Sequence, residues 1–413
     1  MNAPDRTRPT RRDVLHAAAL APLAARVPST SRVPVRWLPG ADDVTLVVVE
    51  LEGGNDGLNT LIPIEDARWA RARPSLSSVR AGAHRIGDGE FALHPALGRA
   101  AARFASGDAA VVHGVGYAPP DRSHFHSRDI WHTADPTLDR TRVATSGWLG
   151  RAADRLAAAG AAVPGLALGG LRVPLALRGE QVVVPAIDSL EGYALRVDPI
   201  AGPEPKDAIV ELVGTGGDAG DLEAFLRDVG REALATERSL TSALAGYRAK
   251  VDYPDDDFGR AMQLAARVVV SGFGARLLHV TLSGFDTHAN QAPLHAALLA
   301  QLDSGLGALL DDLAAHGRLG RTVVFVHSEF GRRVAENRSH GTDHGAAAPV
   351  FVFGGGVRPG LVGAPPDLAD LDDGDVRPTT DFRRVYADLL GRLGVPVAGV
   401  LPGTFEPLGL FAG

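Results

Sequence analysis

Side chains able to do chemistry gather directly after three apolar runs. The run at 322–326 is followed by His327, Ser328 and Glu329, and a polar loop then carries His340, Asp343 and His344 before the next apolar run at 349–353. The run at 276–282 leads into Ser283-Gly284-Phe285-Asp286-Thr287-His288, and the run at 45–51 leads into Glu52-Gly53-Gly54-Asn55-Asp56-Gly57. Carboxylates and imidazoles without thiolates are donors for Zn, Mn, Mg or Ca rather than for an iron–sulfur centre. On an extended or turning segment, residues i and i+2 point the same way, so Asp286 and His288 can reach one ion. A plainer reading stands beside each. Asp286 can cap a helix expected over 294–316, with His288 facing solvent, and Asn55 and Asp56 can serve only their own Gly-rich turn.

A further polar stretch, Asp121-Arg122-Ser123-His124-Phe125-His126, follows an apolar run at 109–113. Ser123 or Asp121 is a natural N-cap for a short helix whose buried face carries Ile130 and Trp131. The same position suits a nucleophile or an anion ligand, because free N–H groups and the helix dipole favour negative charge there. Arg122 is placed to partner an anionic oxygen. At least one of His124 and His126 is expected only to pack. Arg332 and Arg333 either neutralise an anion or pair with Glu336.

The elements that must position these groups are legible as alternation. Apolar runs of strand length at 45–51, 109–113, 276–282, 322–326 and 349–353 alternate with amphipathic helical patterns at 96–104, 258–272, 294–316 and 379–393. In the last of these Phe382, Val385, Leu389 and Leu390 form the inward face. Runs that are apolar throughout suit strands buried on both faces. This predicts a three-layer α/β/α sandwich around a mostly parallel central sheet. In such sheets, ligands bind at the carboxyl ends of the strands, where the polar clusters lie. Residues 150–256 are less regular: a helix at 150–160, interrupted strands at 166–177 and 182–187, and one or two helices over 222–251. Gly214–Gly220 lacks the Lys-Ser/Thr ending of a phosphate loop and reads as a linker. The expected organisation is a leader and linker over 1–42 and one α/β domain over 43–413, with a lid or insert around 150–256.

Composition removes several classes. The 413 residues carry a net charge of −7 and no Cys. No basic footprint marks a nucleic-acid partner, and disulfides, thiolate metal sites and a Cys nucleophile are excluded. No apolar run approaches the ~18 residues of a membrane-spanning helix. Thr10-Arg11-Arg12-Asp13-Val14-Leu15, before a mildly apolar run and the small residues Leu23-Ala24-Ala25, predicts a twin-arginine export signal, hence a periplasmic, secreted or cell-surface protein. A basic tail is the alternative. No Gly-x-Ser-x-Gly elbow supports a serine α/β-hydrolase.

Taken together, Gly53-Gly54-Asn55-Asp56-Gly57-Leu58-Asn59-Thr60, Arg122-Ser123-His124-Phe125, Gly284-Phe285-Asp286-Thr287-His288-Ala289-Asn290-Gln291, Ser328-Glu329-Phe330-Gly331-Arg332 and Thr342-Asp343-His344-Gly345 resemble the exported bacterial proteins grouped as domain of unknown function 1501. That family is in turn similar to the alkaline phosphatase and sulfatase superfamily. The resemblance implies an alkaline phosphatase-like fold. It implies Asp56 as an early metal ligand and Ser123 as nucleophile. Asp286 and His288 follow as a second pair of ligands, Glu329 as a ligand after its strand, and His344 as the final His with Asp343 beside it. Phe330 occupies the place of a paired His, and the Asp286–His288 spacing is shorter than the superfamily's. No Cys/Ser-x-Pro-x-Arg stretch is present for formylglycine chemistry.

The expected function is therefore hydrolysis of a small anionic substrate, a phosphate or sulfate ester or related anion, with one or two divalent ions (Zn, Mn, Ca or Mg). Asp56, Asp286, His288, Glu329, Asp343 and His344 are the candidate ligands, and Ser123 and Arg122 the candidate catalytic pair. The alternative is a non-catalytic exported protein whose degenerate site binds a partner protein or a cell-surface ligand.

Overall fold

The computed structural model describes residues 43–161, 163–188 and 244–411. The twin-arginine stretch, the glycine-rich linker and most of the helical pattern at 222–251 lie outside the described residues. Fourteen strands are present among them: β1 Thr45–Glu52, β2 Leu61–Ile62, β3 His84–Ile86, β4 Phe91–Leu93, β5 Ala109–Gly116, β6 Gly165–Leu168, β7 Ala186–Ile187, β8 Leu277–Ser283, β9 Thr322–His327, β10 Ala348–Gly354, β11 Gly360–Val362, β12 Leu371–Asp372, β13 Asp375–Val376 and β14 Thr380–Asp381. The helices are α1 Gly57–Thr60, α2 Ala67–Ala72, α3 Gly98–Ala105, α4 His124–Thr133, α5 Trp148–Ala158, α6 Asp257–Ser271, α7 Gln291–Ala315 and α8 Phe382–Leu393.

Nine strands form the main sheet in the order β11-β5-β10-β9-β1-β8-β6-β7, with β14 added alongside β5. β1 lies parallel between β8 and β9, β6 is parallel to β8 and β7, and β11 and β14 are parallel to β5. Only β10 runs against its neighbours β5 and β9. The sheet is thus mostly parallel, and the carboxyl ends of β1, β5, β8 and β9 share one edge. That edge is where the crossover loops of a parallel sheet converge and where a site is expected.

The continuous apolar sequence of the central strands follows from burial on both faces. Along β1, Val47, Val49 and Leu51 join a core with Ala100 of α3, Phe258 and Met262 of α6, and Leu302, Leu306 and Leu309 of α7. The intervening Leu46 and Val48 join a second core with Ile130 and Trp131 of α4, Trp148 and Leu156 of α5, and Phe382, Val385, Leu389 and Leu390 of α8. Two helical layers therefore sandwich the sheet, as the alternating runs predict.

Local chemistry adjusts several boundaries. The strand expected over 166–177 stops at Leu168, because Gly169 turns with φ +76, and Leu175–Leu177 forms a short 3₁₀ turn. The last helix begins at Phe382 rather than 379, since Thr380–Asp381 pairs with β5 and the Asp381 carboxylate caps the helix by accepting from the Arg383 N–H. Residues 165–187, read as part of a lid or insert, contribute β6 and β7 to the edge of the main sheet. No helix of the described residues is long and apolar enough to cross a membrane.

Candidate metal centre

Four segments meet at the carboxyl edge. After β1, Gly53 and Gly54 turn the chain with φ +117 and +71. After β8, the 284–290 loop carries Asp286 and His288. After β9, Ser328 and Glu329 lead to Arg332 and on to the loop holding Asp343 and His344. After β5, the chain enters α4, whose first residue is His124.

The oxygen Asp286 Oδ1 is the hub. It lies 2.9 Å from His288 Nε2, 3.1 Å from His344 Nε2 and 3.3 Å from His124 Nε2. Ligand atoms of His124, Asp286 and His344 all fall within 4.8 Å of one another. Each ring is held from behind through Nδ1. His124 Nδ1 faces Glu329 Oε1 at 2.8 Å, His344 Nδ1 faces the Arg122 carbonyl at 2.8 Å, and His288 Nδ1 faces Asp343 Oδ1 at 3.3 Å. A carbonyl or carboxylate oxygen only accepts, so these contacts put the proton on Nδ1 and leave Nε2 a bare lone pair. Nε2 of His124 is buried without a hydrogen-bond partner. Lone pairs of three imidazoles thus face one carboxylate oxygen, which is the donor set and the supporting shell of a His/carboxylate metal site.

The electrostatics of these groups differ. Burial pulls the Asp286 carboxyl upward, yet the Arg332 hydrogen bond and charge hold it far below the usual carboxylate range. The hydrogen bond to Glu329 raises His124, whereas burial lowers His344. Asp343 is lowered by its hydrogen bond from Asn337. Asp286 is not a helix cap. The N-cap of α7 is Asn290, which makes no side-chain cap bond.

Asp286, His288 and His344 are thus brought together. Glu329 and Asp343 stand one layer behind, orienting His124 and His288. Asp56 lies apart from the cluster. Its carboxylate accepts from the Asn59 N–H, pairs with Arg73 Nη1 at 2.6 Å and accepts from Gln291 Nε2. Burial opposes ionisation of Asp56, but Arg73 and His295 keep its carboxyl below the ordinary range.

Arg122 contributes its carbonyl, not its charge: its guanidinium bonds Asp375 at 2.6 Å and Asp373 at 3.1 Å. The Ser123 side chain does not cap α4, although Ser123 is the N-cap residue. Arg332 is buried, donating to the carbonyls of Gly53, Gly54, Phe285 and Thr342 and to Asp286 Oδ1 at 2.8 Å. Arg333 pairs with Asp373 at 3.1 Å, and Glu336 instead accepts from the Ser75 and Leu76 N–H groups. Neither arginine pairs with Glu336. Phe330 packs behind the centre, its ring 4.9 Å from that of His124 and 4.8 Å from that of His344.

His124 is the member of the cluster that sequence reasoning left undecided between packing and chemistry. Its position at the start of a helix that follows a strand was the available signal. His126, two residues on, lies 3.9 Å from Asp121 and outside the cluster.

Residues 78–396 match the family model described as "Protein of unknown function (DUF1501)". No curated protein matches the chain. Solved structures similar to it include a protein in the alkaline phosphatase superfamily from Vibrio parahaemolyticus, at 10% identity over 87% of this chain and 68% of that one, with a TM-score of 0.40. The phosphonate monoester hydrolase of Agrobacterium radiobacter is 12% identical over 86% and 74% of the two chains, with a TM-score of 0.40. The C-terminal periplasmic domain of EcEptC from Escherichia coli, in complex with Zn, is 11% identical over 76% and 74%, with a TM-score of 0.35.

Proposed function

We propose that this chain, which belongs to the DUF1501 family, is a metal-dependent hydrolase of a small anionic ester, a phosphate or sulfate ester or a related anion. One observation carries the reading: the bare Nε2 atoms of His124, His288 and His344 converge on Asp286 Oδ1 while acceptors hold their Nδ1 protons. Acceptors facing acceptors repel unless a cation stands among them, and two nitrogens, a third nitrogen and one carboxylate oxygen suit Zn or Mn in particular. A divalent ion held there supplies polarisation of an ester oxygen and a lowered pKa for an attacking oxygen.

The chain's own groups do the rest. Asp286, His124, His288 and His344 hold the ion, and Glu329, Asp343 and the Arg122 carbonyl fix the ring orientations. Ser123, with its hydroxyl not spent on the cap, is the candidate nucleophile. The first-turn N–H groups of α4 face developing negative charge beside it. Arg332 spends its donors on the strand-end carbonyls, so it shapes the site rather than gripping substrate.

The test is elemental analysis of purified protein together with a panel of phosphate and sulfate esters, run beside Asp286→Asn and Ser123→Ala. Bound metal and ester turnover, both lost in Asp286→Asn, support the reading. A metal-free, inactive protein whose melting temperature ignores added Zn, Mn, Ca and Mg ends it.

Phe330 favours a second reading, in which the centre is incomplete and binds a partner or cell-surface ligand without turnover. Metal retention with no activity on any ester, and a ligand captured by wild type but not by Asp286→Asn, would select it. The Arg11-Arg12 pair supports export by the twin-arginine route. Replacing both with Lys should retain the protein in the cytoplasm, and unchanged export would refute that placement.

A further inference from the structure

The second core contains a polar cluster that the centre above does not use. Glu50 interrupts the apolar run of β1, His279 interrupts that of β8, and His132 sits in the last turn of α4. In the parallel register Val48 lies beside His279 and Glu50 beside His327, so the side chains of β1, β8 and β9 meet on one face of the sheet. His132 reaches down onto that face from the helical layer. All three donors are buried: Glu50 and His279 are 2% exposed and His132 is 4% exposed.

His132 Nε2 lies 3.0 Å from Glu50 Oε2, and His279 Nε2 lies 3.1 Å from the same oxygen. The latter approach is close but misses good hydrogen-bond geometry, although, against the pull of burial, His279 like His132 helps to hold the Glu50 carboxyl down. Nδ1 of His327, stacked between Trp131 and Phe325, also lacks a partner. A carboxylate in an apolar core is very costly unless a cation compensates it. A divalent ion would neutralise Glu50 and use the approach of both Nε2 atoms to the same oxygen.

We propose that Glu50, His132 and His279 form a second metal site, buried on the opposite face of the sheet from α7 and selective for a divalent transition ion such as zinc. Two imidazoles and one carboxylate are a common donor set for such ions. The ligand atoms lie within 4.8 Å of one another, and the close approaches are near the ~3.4 Å ligand–ligand edge set by metal–ligand distances of about 2.0–2.1 Å. The enclosure assigns the ion a structural role, loaded as the chain folds. α4 then spans both centres, because His124 and His132 lie at opposite ends of one helix, about 12 Å apart at 1.5 Å per residue. An ion beneath the helix would fix the level at which His124 is presented above it.

The experiment uses the full chain and Co²⁺ as the probe. Metal-depleted wild type, Asp286→Asn, His279→Gln and Glu50→Gln are titrated, and bound cobalt is read by elemental analysis and by visible d–d absorption. The expected result is two ions per chain in wild type and one in each single variant. The ion kept by Asp286→Asn should be the tighter and should raise the melting temperature more. Asp286→Asn that binds no cobalt, or wild type that binds one ion unchanged by both His279→Gln and Glu50→Gln, overturns the site and leaves a protonated Glu50–His132 pair. Far-UV circular dichroism separates a lost ligand from a lost fold. If both core variants unfold, a single binding event in wild type and none in Asp286→Asn remains the overturning result. The surface centre fails separately, by Asp286→Asn binding as much cobalt as wild type.

Discussion

Nε2 of His288 and Nε2 of His344 lie 2.9 Å apart, and each is within 3.1 Å of Asp286 Oδ1. Both rings are backed through Nδ1, so two lone pairs face one another across the distance of a hydrogen bond with no proton of their own to share. Arg332 Nη1 approaches His288 Nε2 only at 3.5 Å, and a bound cation or an added proton between the rings would make the arrangement favourable.

The first prediction follows directly. His344→Ala and Asp286→Asn each remove a donor from the converging set. Metal content at the surface centre should fall below detection, and kcat/KM for any ester turned over should fall at least ~100-fold, more than the 10–100-fold typical of an outer-shell change. Elemental analysis and steady-state kinetics on the same preparations check it. Full metal occupancy in His344→Ala would remove that residue from the ligand set.

Glu329 acts one layer further out. Its carboxylate accepts from His124 Nδ1 and the Gly53 N–H, and Ser328 Oγ donates to it at 3.0 Å. Glu329→Gln keeps the shape but can present an N–H to Nδ1, favouring the wrong tautomer. Metal affinity should fall about 10–100-fold with the ion still bound at saturation. Competition with a chelator of known affinity measures it, and an unchanged dissociation constant would make Glu329 a packing group.

The strands were legible because burial on both faces writes continuous apolar runs, and the parallel order then follows from helices lying between them. The meeting of Asp286, His288 and His344 was legible because polar groups after such runs must lie at one edge. The sequence did not distinguish a donor from the group behind it. Glu329 and Asp343 have ligand chemistry but support the rings, and Asp56 spends its carboxylate on Arg73, Gln291 and its own helix cap. Such division of labour depends on ångström-level placement across segments hundreds of residues apart. Glu50, by contrast, left a readable mark, a carboxylate inside an otherwise apolar strand, whose meaning appears only once His132 and His279 are seen around it.

Gly53 tests how the turn after β1 shapes the centre. Its φ is +117, and a Cβ there would come within 2.5 Å of the Asp286 backbone nitrogen. Gly53→Ala should cost roughly 1–3 kcal/mol in stability from backbone strain alone and push the Asp286 loop outward, lowering metal affinity at least ~10-fold. Gly89→Ala is the control, with φ +93 but only the Arg85 side chain nearby at 3.7 Å. It should lose stability without losing metal. Equal metal binding by both variants would show that the loop accommodates the methyl.

Acid sensitivity should trace in part to His113, on β5 and far from solvent. Its ring lies 4.6 Å from that of Phe91, and burial pushes its pKa down from 6.5 to about 4. The folded chain therefore keeps this imidazole neutral where the unfolded chain would protonate it. The resulting stability is fully present above about pH 6.5 and is lost as the pH falls toward 4, because the unfolded state binds the extra proton throughout that window. At about 1.4 kcal/mol per pK unit the full loss from this residue is of order 3 kcal/mol. His113→Gln removes the titration while keeping a polar group of similar reach. Melting temperatures from pH 4.5 to 7.5 should fall less steeply on acidification for the variant, even if it starts lower at neutral pH. Parallel curves for the two proteins would assign the acid lability to other buried imidazoles, such as His94, which burial likewise lowers to about 4.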